Sequence, residues 1–235
     1  MDRIMVAKQA EGAANATVNR TIQVVQSVLR RAERERRWLD KAPVLRLLPE
    51  PKQRIRWLTR PEAQRLLLEL LEHLADMARF SLATGLRESN VTELRWDQVD
   101  LSRRCAWIHA DEAKAGKAIS VPLNDGALEV LRRQQGKHKT NVFTFRGKPV
   151  QKAGGLAWKK ALQRAGITNF RWHDLRHCWA SWHIQSGIPL PILQELGGWA
   201  SPAMVQRYAH LSSEALAQHA NSVALSIGAE VVQVA

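Results

Sequence analysis

Apolar residues recur at intervals of three and four along most of this chain, and that period limits the fold more than any other feature. Val18, Ile22, Val25, Leu29 and Ala32 form one apolar stripe on a helix expected to begin at Thr17. Leu66, Leu67, Leu70, Leu71, Leu74 and Met77 form another, after a T-x-x-E capping pattern at Thr59 and Glu62. This second run is expected to break near His73 and to stop at Gly85, because glycine takes the left-handed backbone that ends a helix. Further helices are expected over 125–135, 156–165, 173–185, 192–196 and 202–210. The last is opened by Ser201 as a hydroxyl cap and Pro202 in the first turn. Around Val99, over 105–108 and over 119–121 the pattern changes to short strand-forming runs. Residues 113–116 (AKAG) read as the turn between the last two, with a lysine at its tip. The expected class is mainly α with a small antiparallel β-sheet (α+β).

The helix from Thr17 cannot bury its stripe alone, so it must pack on something. Before it, residues 1–16 are small, polar and alanine-rich and read as a loose leader. After it, Pro43, Pro49 and Pro51 alternate with Lys52, Arg54 and Arg56, a linker composition whose cations suit a strap along phosphates. A boundary near residue 50 divides the chain into 1–50 and 51–235. Lys and Arg number 35 against 22 Asp and Glu, a formal charge of +13, while 45% of the 235 residues are hydrophobic. A chain that basic with enough apolar mass for a core points to a folded protein with a polyanionic partner, most simply nucleic acid. Arg20, Arg30, Arg31, Arg34, Arg36 and Arg37 suit either a solvated helix face or a phosphate contact. Two cysteines, Cys105 and Cys178, cannot build a disulfide framework. No apolar run reaches the roughly 18 residues of a membrane span, and the first residues have no secretory apolar core. The expected location is the cytoplasm.

Chemistry concentrates in R-W-H-D-L-R-H-C-W-A-S-W-H-I-Q-S-G, residues 171–187. Trp172, Leu175, Cys178, Trp179 and Trp182 fall on one side of a helix and should face the core. His173 and Arg176, three apart, can reach one target, and such a pair suits an anionic oxygen better than a metal. A polar helix face would look the same in this segment alone. Upstream, A-T-G-L-R-E-S-N (83–90) puts Arg87 just past a helix end. Downstream, L-G-G-W (196–199) precedes R-Y-A-H-L (207–211), which holds Tyr208, the chain's only tyrosine.

An arginine after T-G-L, a hairpin lysine, H-x-x-R, L-G-G-W and R-Y-A-H-L, in that order, resemble the tyrosine recombinase, or phage integrase, family over roughly residues 17–220. The resemblance implies an integrase-like catalytic domain over 51–235, with 1–50 a leader, a remnant of a helical core-binding domain and a linker. It matches Arg87 to the first catalytic arginine, Lys114 to the hairpin lysine, His173 and Arg176 to the H-x-x-R pair, Trp199 to a His-or-Trp position and Tyr208 to the nucleophile. It implies double-stranded DNA as partner, four protomers around two synapsed duplexes, a monomer or weak oligomer without DNA, and accessory DNA-bending proteins. The segment 212–235 is expected to pack on a neighbour or to fold back in cis.

These residue types suit the reaction. A phosphodiester is very inert, so its cleavage needs large transition-state stabilisation. Two guanidinium groups can hold the non-bridging oxygens. Lys114 can protonate the leaving 5′ oxygen, His173 can accept or relay the phenol's proton, and Tyr208 can form a 3′-phosphotyrosyl link. Trp199 can donate its indole N–H or simply pack. The covalent link conserves the bond energy, so no cofactor is expected, and the cations take the place of a metal. Some features depart from the family pattern. Asn90 stands where many members carry a carboxylate, Glu88 adjoins the arginine instead, and His177 directly follows Arg176 as a supporting or structural histidine. Three other functions share parts of the pattern. A zinc enzyme would use His173 and His177 at i and i+4, although Asp174 is short and Arg176 opposes a cation. A non-catalytic integrase relic would bind DNA without cutting. A type IB topoisomerase would use the same chemistry without paired sites.

Overall fold

The computed structural model describes residues 2–50, 55–112, 116 and 118–211. The chain divides into two compact units, Met1–Arg54 and Ile55–Ala235.

The first unit contains α1 (Asp2–Ala10) and α2 (Asn15–Arg34). The loose-leader expectation is therefore corrected over residues 2–10. Alanine, methionine, lysine and glutamine there are strong helix formers, and Lys8 pairs with Glu11 at 2.7 Å. Val18 and Ile22 of the apolar stripe are fully buried, and the arginines on the other faces of α2 are exposed. Buried Asn19 decides the path of the proline-rich segment. Its Oδ1 accepts from Leu48 N at 2.8 Å, and its Nδ2 donates to Leu48 O at 2.9 Å and to Glu50 Oε1 at 2.6 Å. Residues 48–50 are thus pinned along α2, although their composition reads as linker.

The second unit opens with Leu58, whose amide donates to Cys178 Sγ at 3.1 Å. The capping box then forms as its spacing requires: Thr59 Oγ1 accepts from Glu62 N, and Glu62 Oε2 accepts from Thr59 N at 2.7 Å, starting α3 (Arg60–Glu69). The apolar run breaks at Leu70 and Leu71, and α4 (Glu72–Thr84) ends on Gly85 at φ +66°. The short α5 (Glu88–Thr92) follows, then β1 (Val99–Asp100), β2 (Cys105–Ile108) and β3 (Ile119–Pro122). These strands form an antiparallel sheet in the order β1-β2-β3. Ala106 faces Val121 and Ile108 faces Ile119, so the alternation buries one side of the sheet. The turn expected at 113–116, with Lys114, lies outside the described residues apart from Gly116.

Helix α6 (Asp125–Gln134) is capped by Asn124 Oδ1, which accepts from Ala127 N at 2.9 Å. A hairpin, β4 (Thr144–Phe145) with β5 (Lys148–Pro149), follows it. Two-residue strands show no period, so pattern reading misses them; their signal is Arg146 and Gly147, both at positive φ, in the turn. The chain continues through α7 (Leu156–Arg164), α8 (Asp174–Gln185), α9 (Leu190–Gly197) and α10 (Pro202–Gln206), then a 3₁₀ turn at Ala209–Leu211. The expectation for Ser201 is corrected in part: Pro202 does open α10, but the Ser201 hydroxyl makes no capping bond.

Helix α4 runs through the core of this unit and packs on α6 and α8. Met77, Ala78 and Phe80 are buried there, and the Phe80 ring lies 5.4 Å from that of Phe143. A second cluster joins Trp179 and Ile184 of α8 to Leu193, Trp199, Val205 and Tyr208. This cluster carries the end of the described chain back against α8. Among the described residues, no helix is long and apolar enough to cross a membrane.

Candidate active site

Gly85 is where the site begins. Its positive φ ends α4, and a Cβ there would lie 2.4 Å from the Trp179 ring, so both backbone and packing require glycine. Its carbonyl, at the electronegative end of α4, accepts from Arg176 Nη1 at 2.6 Å. The same guanidinium donates through Nη2 to the carbonyl of Gly197, at the end of α9, at 2.5 Å. Arg176 thereby ties two helix C-termini together while only 4% exposed. Its plane also stacks on Trp199, with Cζ 4.1 Å from the ring centroid. Burial, and then the charge of Arg87, pull its pKa down to about 10. It stays cationic at neutral pH.

Arg87 caps α5 from the turn after Gly85. It is half-buried, desolvation lowers its pKa, and among the described residues its guanidinium makes no hydrogen bond, although its backbone carbonyl accepts from Val91 N at 3.1 Å. A partly desolvated, unpaired guanidinium is a ready anion site. Beside it, Glu88 Oε1 accepts from Ala153 N and Gly154 N, both at 2.8 Å. The carboxylate next to the arginine therefore anchors the 150–155 loop. Asn90 donates to Glu112 O at 3.2 Å.

His173 caps α8 with its ring edge exposed, and its pKa is lowered by partial desolvation and then by Arg176. Tyr208 is 1% exposed. Its hydroxyl lies 2.6 Å from Nδ1 of His177. His173 was expected to receive the phenol's proton, but the hydrogen-bonded partner is the next histidine along α8. The two imidazoles meet edge to face at 5.3 Å. Burial and then His173 push the His177 pKa down to about 4, so its ring is neutral at pH 7. Burial pushes the Tyr208 pKa up to about 12, against the opposing charges of Arg176 and Arg207. Trp199 packs: its ring lies 5.9 Å from Tyr208 and 6.0 Å from Trp179.

One cavity of about 290 Å³ is lined by Arg87, His173, Arg176, His177, Gly198, Trp199, Ala200, Met204, Arg207 and Tyr208. Five of the six residues singled out in the sequence meet there, and Lys114 lies outside the described residues. Two further polar members of the site are His177, which the sequence offers as a supporting or structural histidine, and Arg207, to which it gives no role. His177 was legible as the i+4 neighbour of His173, and Arg207 as the residue before the lone tyrosine. Among the described residues, no three His, Cys, Asp or Glu side chains gather as a metal-ligand set.

Residues 56–215 match the model of the phage integrase family. This chain belongs to the phage integrase family. It is 45% identical over 233 residues to the integrase of Salmonella phage P22, covering 93% of this chain and 60% of that protein. The chain thus spans less than two thirds of that relative's length. Among solved structures, the fold resembles the Tn1549 transposon integrase in complex with a circular intermediate DNA. The TM-score is 0.75 at 16% identity, over 94% of this chain and 83% of that one. The catalytic domain of bacteriophage HP1 integrase matches with a TM-score of 0.58 at 25% identity, over 74% of this chain and 98% of that domain. The second unit is an integrase-type catalytic fold, mainly helical with small antiparallel sheets.

Proposed function

We propose that this chain is a site-specific recombinase that cleaves and rejoins DNA through a 3′-phosphotyrosyl bond to Tyr208. One observation carries the reading: the only tyrosine places its hydroxyl in a cavity walled by Arg87 and Arg176, with a neutral imidazole 2.6 Å away. Arg87 and Arg176 would hold the non-bridging oxygens of the phosphate. As the phenolic oxygen attacks phosphorus, the P–O5′ bond breaks and the 5′ oxygen takes a proton from a general acid. Lys114 fills that role in this reading, His173 contributes a further polar edge to the phosphate, and Trp199 positions Arg176 and Tyr208. Each donor aimed at the developing charge contributes about 2.7–4 kcal/mol of transition-state stabilisation. The reverse attack by a 5′-hydroxyl restores a phosphodiester, so exchange needs no cofactor.

The rest of the proposal follows the same family logic. Residues 51–235 act as the catalytic domain and 1–50 as part of a helical DNA-binding region. The net charge of +13 supports a DNA partner, and the Tn1549 relative is captured with DNA. Four protomers would assemble on two duplexes with DNA-bending helpers, in the cytoplasm. A nicked suicide substrate tests this reading. A covalent protein–DNA adduct is expected with the wild-type chain and none with Tyr208→Phe. DNA binding without any adduct would leave the non-catalytic relic, and supercoil relaxation at unpaired sites would indicate the topoisomerase.

A further inference from the structure

We infer that His177, rather than His173, is the catalytic residue that takes the phenolic proton of Tyr208 during strand cleavage and returns it during rejoining. The inference rests on the proposed nucleophilic role of Tyr208. Geometry carries it. Among the described residues the hydroxyl's hydrogen-bond partner is Nδ1 of His177, at 2.6 Å, which is within proton-transfer reach. His177 sits one turn into α8 from the cap residue His173, with its ring centroid 5.9 Å from that of Tyr208. His173 stands at the exposed helix end.

The proton balance closes within the cavity. With its own proton on Nε2, His177 accepts at Nδ1. The Tyr208 O–P bond forms as the O–H proton passes to Nδ1 and the P–O5′ bond breaks. The result is an imidazolium beside a phosphotyrosine, and the 5′ oxygen is protonated by the separate general acid. In rejoining, the imidazolium returns the proton to the departing phenolate. The charged groups facing His177 are His173, Asp174 and Arg176 from α8, and Arg207 and Arg87 across the cavity. Without DNA, burial first and then the neighbouring basic groups hold the ring neutral, against the single carboxylate of Asp174. A phosphate bound between Arg87 and Arg176 supplies the negative charge that lets the ring accept a proton.

The full 235-residue chain is assayed on a suicide substrate, alongside a second substrate whose scissile 5′ oxygen is replaced by sulfur. The sulfur leaving group needs no proton, so that substrate isolates the attacking side of the reaction. His177→Ala and His177→Asn are compared with His173→Ala. The Asn amide oxygen keeps a hydrogen-bond acceptor near Nδ1 but cannot take up a proton at neutral pH. Both His177 variants are expected to form adduct about 10²–10⁴-fold more slowly on either substrate. Their rates should rise with pH towards the ionisation of the phenol. Added imidazole should restore His177→Ala but not His173→Ala. Wild-type rates in His177→Asn would overturn the inference, because a positioning bond would then suffice. So would recovery of His177→Ala on the sulfur substrate, which would place its defect at the leaving group. Failure of the wild-type chain to form any adduct would instead overturn the proposed activity itself. Far-ultraviolet circular dichroism of each variant confirms that a slow rate reflects chemistry and not unfolding.

Discussion

Two of the three arginines that line the cavity, Arg176 on its floor and Arg87 on its rim, are held in opposite ways. Arg176 on the floor is 4% exposed and bonded to the Gly85 and Gly197 carbonyls. Arg87 on the rim is half-buried and, among the described residues, its guanidinium makes no hydrogen bond. The floor arginine satisfies two helix ends and presents its remaining donors to the cavity, so fold and site share one side chain. The rim arginine contributes charge without supporting structure. Two residues of one chemical type and one proposed role should therefore fail differently when removed.

Replacing the floor residue has the largest expected effect. Arg176→Ala orphans two buried carbonyls at about 1–3 kcal/mol each, so urea denaturation should show a clear loss of stability together with loss of adduct formation. An Arg176→Ala protein as stable as wild type would break the distinction. Next comes Arg87→Ala, for which adduct formation should fall about 10²–10³-fold while the unfolding free energy stays within about 0.5 kcal/mol. A large stability loss there would show that the rim residue also supports the fold. A smaller effect is expected at the junction between them. Gly85→Ala forces a left-handed alanine and a 2.4 Å contact with Trp179, at a combined cost of about 2–4 kcal/mol. Because this displaces the carbonyl that Arg176 grips, adduct formation should fall with stability, and activity unchanged in a destabilised protein would uncouple the two.

The smallest effect is in pH. The folded-state pKa of His177 is depressed from 6.5 to about 4, so the unfolded chain binds the extra proton first. Its stabilising contribution is present above pH 6.5 and is lost as the pH falls towards 4. The melting temperature of wild type should therefore drop more steeply across that interval than that of His177→Asn. Equal slopes would mean that the floor of the cavity is wetter than its packing implies.

Much of this was legible in the chain because it is local. The T-x-x-E box at Thr59, the glycine stop at Gly85 and the alternation across β2 and β3 each depend on neighbours a few residues away. The order of Arg87, H-x-x-R, Trp199 and Tyr208 was legible too, but it spans most of the second unit and carried meaning only through its resemblance to a family. Composition misled where tertiary bonds intervened. Asn19 turns a proline-rich strap into a docked segment. Residues 2–10 coil into a helix because their alanine, methionine, lysine and glutamine favour one locally. The β4–β5 hairpin was too short to carry any period.

The sequence alone determined which chemical groups were available and which elements would present them, because helix periodicity, caps and turn residues act over a few ångströms of chain. Which imidazole meets the phenol was decided only in three dimensions. His173 caps α8 and His177 lies in its first turn, and periodicity cannot rank them. The packing of Tyr208 with Trp179, Trp199 and Val205 brings its hydroxyl to the second of them. The division of labour between the arginines is likewise tertiary: the carbonyls of Gly85 and Gly197 lie 91 and 21 residues from Arg176 along the chain, and no local rule brings two helix ends to one guanidinium.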